Sequence, residues 1–410
     1  MSKKLSMALV AFVGLCLAAA APLRAQQQVN LGDGDTLTIS GFISGTWFWN
    51  RDQFGAFGQG QSAEWAHAPG AGLATDKWFS DAEVRNTRIH FGFAGPHISG
   101  DWRVKAGLET DFFGPVGGPP FGDEQPQPRL RLAFADVTNG RTTIRIGQYW
   151  SPLFAEYPQS LSHIAFPIGY GSAGYVGWRF PGIFLYQDLT SGGSTHAQLQ
   201  LAAMKGSGDA VPPADVGSGE ASAVPQFEAR LNVGGSSGNL GWHWYAVGHV
   251  DRKDLSGAGD TAVAGADDSR TGWALETGGG IEPGPFVLHG NFYFGRAIGQ
   301  QFGAITQAGD IQSWGAWGQL GYNVPDTGWS FWAYYGTDNP DEQKFFDDTG
   351  GFLARNKNQI GSFMIRYEAG PYAVGLEWLK AWTDWQQGLD PTGFQQTQAN
   401  QIALSVKYGI

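Results

Sequence analysis

Residues 101–113 of this chain read DWRVKAGLETDFF, and apolar and polar side chains alternate along them. Every second residue from Trp102 to Leu108 is apolar, and the residues between include Arg103 and Lys105. Successive side chains of a β-strand point to opposite faces, so one face of this stretch is apolar and the other is charged. About ten residues with this pattern are typical of a strand that crosses a membrane as part of a β-barrel.

The same alternation recurs almost to the end of the chain, where Ile402, Leu404 and Val406 alternate with Ala403 and Ser405. A period of two indicates strands and not helices. About sixteen strands are predicted in this way, at 36–49, 81–93, 101–113, 129–137, 142–150, 180–188, 195–204, 225–233, 239–251, 271–281, 286–296, 312–323, 329–338, 357–368, 372–382 and 398–410. The predicted fold class is therefore all-β, a transmembrane antiparallel β-barrel with an even number of strands.

The predicted connections alternate between short and long. Short ones, rich in the Gly, Pro and Asn that tight turns use, lie at 95–100, 138–141, 234–238, 282–285, 324–328 and 369–371. Long ones, rich in Gly, Asp and Gln, lie at 50–80, 114–128, 151–179, 205–224, 252–270, 297–311, 339–356 and 383–397. Transmembrane barrels have short periplasmic turns and long extracellular loops, so this order favours a barrel with both termini on the periplasmic side.

The composition agrees with such a barrel and excludes other classes. The 410 residues include 62 Gly, 27 Phe, 17 Trp and 13 Tyr, and charged residues make up only 15% of the chain. Ordinary soluble domains carry about 25% charged residues and less Gly. The formal net charge of -11 makes nucleic acid an unsuitable partner.

The first 25 residues differ in kind from the rest. Lys3 and Lys4 precede an apolar run, and a small residue, Ala25, ends the segment. This order predicts a cleaved signal peptide over 1–25, which directs export toward the outer membrane. The remainder, 26–410, is predicted to be one barrel domain with a short polar N-terminal tail.

A sheet that spans lipid must close on itself, because each backbone group left unpaired in the bilayer costs several kcal/mol. Closure at about sixteen strands leaves a water-filled lumen. A pore-lining basic wall is predicted from the inward residues Arg88, Arg103, Lys105, Arg129, Arg131, Arg145, Arg230 and Arg366. Pore-lining acidic residues are predicted at Glu109, Asp111, Glu228, Glu276 and Glu377. Such charges select ions at the narrowest point of a pore, or else they pair with one another across a wide lumen.

The connection at 151–179 begins SPLFAEYP and is more apolar than the other long connections. We expect it to fold into the barrel and narrow it, with Trp150, Phe154, Glu156 and Tyr157 at the constriction. The alternative is an outer loop that packs against neighbouring loops or a neighbouring subunit.

No catalytic or metal site is indicated by the sequence. The eight histidines show no His-Glu-x-x-His spacing, and neither a Gly-x-Ser-x-Gly motif nor a phosphate-binding loop occurs. We therefore expect neither an enzyme nor a cofactor. Acidic residues of the long connections, such as Asp341 and Glu342, either bridge through Ca²⁺ to lipopolysaccharide or keep the outer surface hydrated.

Four segments between residues 80 and 190 carry a resemblance to a known family. They are 85–93 (RNTRIHFGF), 107–112 (GLETDF), 129–134 (RLRLAF) and 147–154 (GQYWSPLF). They resemble the motifs of the DcaP-like trimeric porins and, more loosely, those of the phosphate-selective porins. The resemblance implies a homotrimeric sixteen-stranded barrel in a Gram-negative outer membrane that takes up small anionic solutes past a basic constriction. By position, the candidates for that basic constriction are Arg88, Arg103, Arg129, Arg131 and Arg145.

Three functions are compatible with these features. The first is a porin for passive diffusion of small hydrophilic solutes, with a preference for anions such as dicarboxylates. The second is a substrate-specific channel for an organic acid or a sugar, in which Tyr149, Trp150 and Tyr157 form a stacking path. The third is an outer-membrane adhesin or receptor whose pore is incidental.

Overall fold

A computed structural model describes most of the chain, and it forms a closed antiparallel β-barrel with almost no helix. The described residues are 26–32, 34–52, 54–56, 63–70, 76–114, 125–206, 217–254, 269–298, 310–341, 355–386 and 393–410. The predicted signal peptide at 1–25 lies outside them. No helix among these residues is long and apolar enough to cross a membrane.

Apart from β3 and β4, which form a separate hairpin, the strands follow one another around the barrel in chain order. They are β1 (Gln26–Gly32), β2 (Asp35–Arg51), β3 (Phe54–Ala56), β4 (Ala63–Ala66), β5 (Trp78–Glu83), β6 (Arg88–Ser99), β7 (Trp102–Asp111), β8 (Arg129–Thr138), β9 (Thr142–Trp150), β10 (Arg179–Asp188), β11 (Thr195–Met204), β12 (Gln226–Ser237), β13 (Leu240–Asp254), β14 (Ser269–Pro283), β15 (Phe286–Arg296), β16 (Gln312–Asn323), β17 (Trp329–Pro340), β18 (Arg355–Ala369), β19 (Tyr372–Gln386) and β20 (Phe394–Gly409). One short helix, α1 (Ser218–Ala221), precedes β12.

The barrel closes between its first and last long strands. β2 pairs with β20 from Phe42 opposite Gly409 to Arg51 opposite Asn400. Below this pairing, β1 forms a hairpin with the start of β2, so the polar tail predicted before the barrel is a short strand. With β5 and β6 counted as two parts of one strand, sixteen strands form the closed ring, and the predicted strand number is confirmed.

The strand predicted at 81–93 is broken in the structure between β5 and β6. At the break, the Thr87 side chain accepts a hydrogen bond from the Ser44 amide (3.1 Å) and donates one to the Ser44 carbonyl (3.3 Å). This hydroxyl replaces the missing backbone pairing, because buried backbone groups must find a partner. The break also turns the Asn86 side chain into the barrel, where it is fully buried.

The connections sort into two ends, as predicted. Short turns of two to six residues join β6 to β7 and every second pair after it, and we call their side the short-turn end. The strand ends that lead into the longer connections lie at the opposite side, which we call the long-loop end. Both described termini, in β1 and β20, lie at the short-turn end.

The outer face of the barrel is apolar and exposed. Ile146 and Leu275 are each 60% exposed and Trp47 is 51% exposed, although all three are large apolar side chains. Along β19 the exposed Leu376 and Trp378 alternate with buried inward neighbours. A continuous apolar exterior of this kind is what a lipid-facing barrel presents.

Gly147→Ala is expected to destabilise the barrel, because Gly147 has φ +136° and a Cβ there would lie 2.2 Å from the carbonyl oxygen of Ala133 on β8. Strain of this kind costs about 1–3 kcal/mol. Urea unfolding of the protein in lipid or detergent measures the loss. Gly45→Ala on β2 is the matched control, since no atom lies within 4 Å of its Cβ position. Equal stability of the two variants would contradict the argument.

Candidate functional site

The connection between β9 and β10, residues 151–178, lies inside the barrel, and we call it the inner loop. Its side chains Leu153, Leu161 and Ile168 are at most 1% exposed. One apolar cluster joins the inner loop to inward side chains of β16 to β20, and a second joins it to β10, β11 and β13 to β15. The inner loop therefore occupies the side of the lumen enclosed by these strands.

Glu228 on β12 holds the start of the inner loop. Its Oε2 accepts a hydrogen bond from the Leu153 amide at 2.8 Å, and its Oε1 lies 3.0 Å from Nδ1 of His249. Nearby, Nη1 of Arg230 donates to the carbonyl of Pro152 at 3.4 Å. Both side chains thus satisfy backbone groups that the loop has removed from water.

Glu377 on β19 holds the middle of the inner loop. A single oxygen, Oε2, accepts from the amides of Leu161 (3.1 Å) and Ser162 (2.6 Å) and from the hydroxyl of Ser160 (3.1 Å). Three strands further around the barrel, between β5 and β6, Asn86 donates to the Ser162 carbonyl at 2.8 Å and accepts from the Ala165 amide at 2.9 Å. The middle of the loop is therefore fastened at two places on the wall.

Glu156 fastens the inner loop to a third place, on β13 and β15. Its carboxylate lies 2.7 Å from Nε2 of His243 and 2.8 Å from Nδ1 of His289. Burial alone would raise the pKa of Glu156, but the hydrogen bonds from the two imidazoles outweigh burial and lower that pKa to about 2. Glu156 is therefore ionised at neutral pH.

The other nitrogen of His289 also faces an oxygen. Nε2 lies 2.9 Å from Oε1 of Gln319, whose amide orientation is fixed because Gln159 donates its N–H to Oε1 and accepts from Nε2. Both ring nitrogens of His289 thus face oxygen atoms, and the carboxylate beside Nδ1 is the ionised one of Glu156. The Glu156 clasp, formed by Glu156, His243 and His289, is thus a charge-assisted contact.

The acidic residues predicted to line the pore at Glu228, Glu276 and Glu377 face inward but do not line open space. Each is 3% exposed. Glu276 accepts a hydrogen bond from the Tyr245 hydroxyl at 2.7 Å, and the other two hold the inner loop. Arg230 is likewise covered by the loop backbone. These residues differ from the prediction because the loop folds over them.

The basic residues on β6 and β8 form an ion-pair cluster with two carboxylates of β7. Arg129 binds Asp111 through two hydrogen bonds of 2.9 and 2.6 Å. Arg131 bridges Glu109 and Asp111 at 2.7 Å each, and Nε of Arg88 lies 3.7 Å from Glu109. Three guanidinium groups face two carboxylates, so one positive charge is left over.

Arg179 adds a further positive charge that the sequence analysis missed. It is the first residue of β10, one position before the predicted strand, and its guanidinium lies 4.3 Å from the Trp178 ring and 4.9 Å from the Trp150 ring. Trp150 in turn stacks on Phe154 at 3.7 Å. These two rings, predicted at the constriction, therefore pack against each other, whereas Tyr157 is 54% exposed.

The remaining basic residues of the predicted wall lie in different surroundings. Arg145 binds Asp136 at 2.7 and 2.8 Å and packs on the ring of Tyr149. Arg103 and Lys105 are exposed toward the short-turn end of the barrel. Arg366, on β18, binds the Ser330 hydroxyl at 3.2 Å and Glu368 at 3.3 Å.

The hairpin of β3 and β4 also contacts inward side chains of the barrel wall, which the sequence did not predict. The Ala66 amide donates to Thr383 at 2.9 Å, and Arg355 lies over the Trp65 ring. Nothing in the alternation pattern marks this hairpin.

The inward positions of His243 and His289 could have been found from the sequence, because both lie on predicted strands. The part of the chain that the structure describes contains no group of three His, Cys, Asp or Glu side chains placed to hold a metal ion.

No family model matches the chain, and no curated protein matches it. Solved structures do match. The outer membrane channel DcaP of Acinetobacter baumannii has a TM-score of 0.69 and 18% identity, over 93% of this chain and 99% of that one. An anion-selective porin from Comamonas acidovorans has a TM-score of 0.54 and 10% identity, over 92% and 100%. OmpT, an outer membrane protein of Vibrio cholerae in a trimer form, has a TM-score of 0.52 and 13% identity, over 92% and 99%.

These three structures share the barrel fold with this chain. The resemblance to DcaP-like porins, drawn from four short segments, is thereby confirmed at the level of the fold. The structural neighbours are outer-membrane channels and porins, whereas what each one transports is a property of that protein.

Glu156→Gln is expected to loosen the inner loop, because it removes the charge of the Glu156 clasp. The pKa of Glu156 is lower in the folded protein than its ordinary value of about 4.3, so the ionised carboxylate stabilises the attached inner loop fully at pH values above about 4.3. This stabilisation is lost as the pH falls toward about 2. Amide hydrogen exchange of residues 156–162, expressed as protection factors, is the measurement.

The wild-type protection factors should hold from pH 7 to about pH 4 and fall below it, whereas Glu156→Gln should be at least about tenfold less protected at pH 7. Glu220→Gln on α1, far from the clasp in the chain, is the control and should match the wild type. Unchanged protection in Glu156→Gln would show that the clasp does not hold the loop.

Proposed function

We propose that this chain is an outer-membrane porin with a water-filled path for passive diffusion of small hydrophilic solutes, and that the path prefers anions such as dicarboxylates. The charges that solvent reaches inside the barrel support this proposal. The side chains of Arg129 and Arg88 keep 22% and 17% exposure, and Arg103 and Lys105 are exposed, whereas the Glu228 side chain is fully buried.

The inner loop produces this imbalance. It covers the acidic residues on β12, β14 and β19 and leaves four basic residues at least partly exposed beside the remaining path, namely Arg88, Arg103, Lys105 and Arg129. Constriction is proposed where the loop residue Tyr157 faces that wall, while Glu156 holds the loop to β13 and β15. The sign of the charge at the narrowest part of a pore selects ions, and low-dielectric walls strengthen the field there.

The membrane location and the assembly are part of the same proposal. The apolar exterior fits a lipid bilayer, and the barrel is shared with outer-membrane channels. We propose export through a signal peptide cleaved near residue 25, contact of the long loops with lipopolysaccharide, and a homotrimer, for which the trimer form of the Vibrio cholerae protein is the support. No catalytic role or cofactor is proposed.

A substrate-specific channel for an organic acid is the second candidate. The exposed ring of Tyr157 favours it, since an exposed aromatic side chain at a constriction can stack on a passing solute. Trp150 contributes less than predicted, because its ring already stacks on Phe154. A current block that saturates with one organic acid would distinguish this candidate from general diffusion.

The ion preference is testable in a planar bilayer under a KCl gradient. We expect the wild type to give a reversal potential of the anion-selective sign. The double variant Arg88→Gln and Arg129→Gln should have an anion-to-cation permeability ratio about severalfold lower, because the excess positive charge is lost. Arg252→Gln, an exposed arginine on the outer face of β13, is the matched control. Cation selectivity of the wild type would overturn the anion preference, and absence of conductance would overturn the channel.

A further inference from the structure

A recess of about 560 Å³ opens into the lumen on the inner wall of β10 to β13, at the short-turn end. Its inward side chains are Asp188, His196, Gln198, Gln200, Asn232 and His243. One strand, β9, separates it from the ion-pair cluster of β6 to β8. Among the described residues, neither lysine nor arginine lines it.

Two of the amides are held in fixed orientations. Gln198 donates through Nε2 to Oδ1 of Asp188 at 2.8 Å, and Gln200 donates through Nε2 to Oε1 of Gln198 at 2.9 Å. This chain of hydrogen bonds leaves Oδ2 of Asp188 and Oε1 of Gln200 as acceptors for a ligand. Side chains fixed in advance lose little freedom when a ligand binds.

The polar groups that the recess offers to a ligand include both hydrogen-bond donors and hydrogen-bond acceptors. Asn232 carries two N–H donors and a carbonyl acceptor, and each glutamine has a second N–H beyond the one in the chain. A hydroxyl group both donates and accepts, so it matches this mixture. A carboxylate only accepts and would meet the charge of Asp188, whereas an ammonium group only donates and would leave the amide N–H groups unused.

We propose that the recess is a binding site for a small uncharged polyhydroxylated solute, of the size of one or two sugar rings. A volume of several hundred Å³ suits such a ligand. No residue of the basic wall lines the recess, so the barrel would carry one surface for anions and another for neutral solutes. His243 lines the recess and also belongs to the Glu156 clasp, so an occupant touches a residue that holds the inner loop.

The test is direct binding of glucose to the purified full chain in detergent, measured by calorimetry or saturation-transfer NMR. This readout needs no conductance, so its failure is distinct from failure of the proposed channel. Glucose should bind with millimolar affinity, and Gln200→Leu and Asn232→Leu should each weaken it about three- to tenfold, the effect of one lost neutral hydrogen bond.

Gln187→Leu is the matched control, because Gln187 lies next to Asp188 on β10 but on the outward face. This variant should bind glucose with the affinity of the wild type. Heat-modifiable mobility on a gel establishes that each variant is folded. Absence of glucose binding, binding that both recess variants leave unchanged, or binding of ethanolamine or succinate in place of glucose would each overturn the proposal.

Discussion

A backbone amide inside a lipid bilayer finds no water to bond, so a sheet that spans the bilayer cannot keep a free edge. In this chain the two edges meet where β2 pairs with β20, and Thr46 there bonds Ser405 at 2.9 Å although the two residues are 359 positions apart. Closure gives every strand a defined inner face. The position of each lumen side chain therefore depends on that pairing.

The same demand for hydrogen-bond partners governs the interior. The inner loop carries polar backbone groups into an enclosed space, and buried carboxylates on the wall accept their hydrogen bonds. Glu228 and Glu377 thus stabilise the loop and are withdrawn from the lumen. The loop and the wall together change the electrostatics, because three inward glutamates of β12, β14 and β19 are buried whereas Arg88 and Arg129 stay partly exposed.

The sequence predicted the architecture well because strand alternation is a local signal. It placed fifteen of the sixteen strands to within four residues, and it gave the order of short and long connections and the inward direction of the charged residues. It failed where a local interruption has a long-range cause. The break at 84–87 reads as continuous strand, but Asn86 turns inward there to bind a loop more than seventy residues later.

The sequence by itself determined which residues form strands and which face each side chain takes, since both follow from a period of two along the backbone. Only the tertiary structure decided which inward residues meet solvent. That depends on where the inner loop lies, and the loop is positioned by contacts such as those of Glu377 with Ser162, 215 positions away. No pattern along the chain encodes such pairs, so the charge of the open path was decided by the folded barrel.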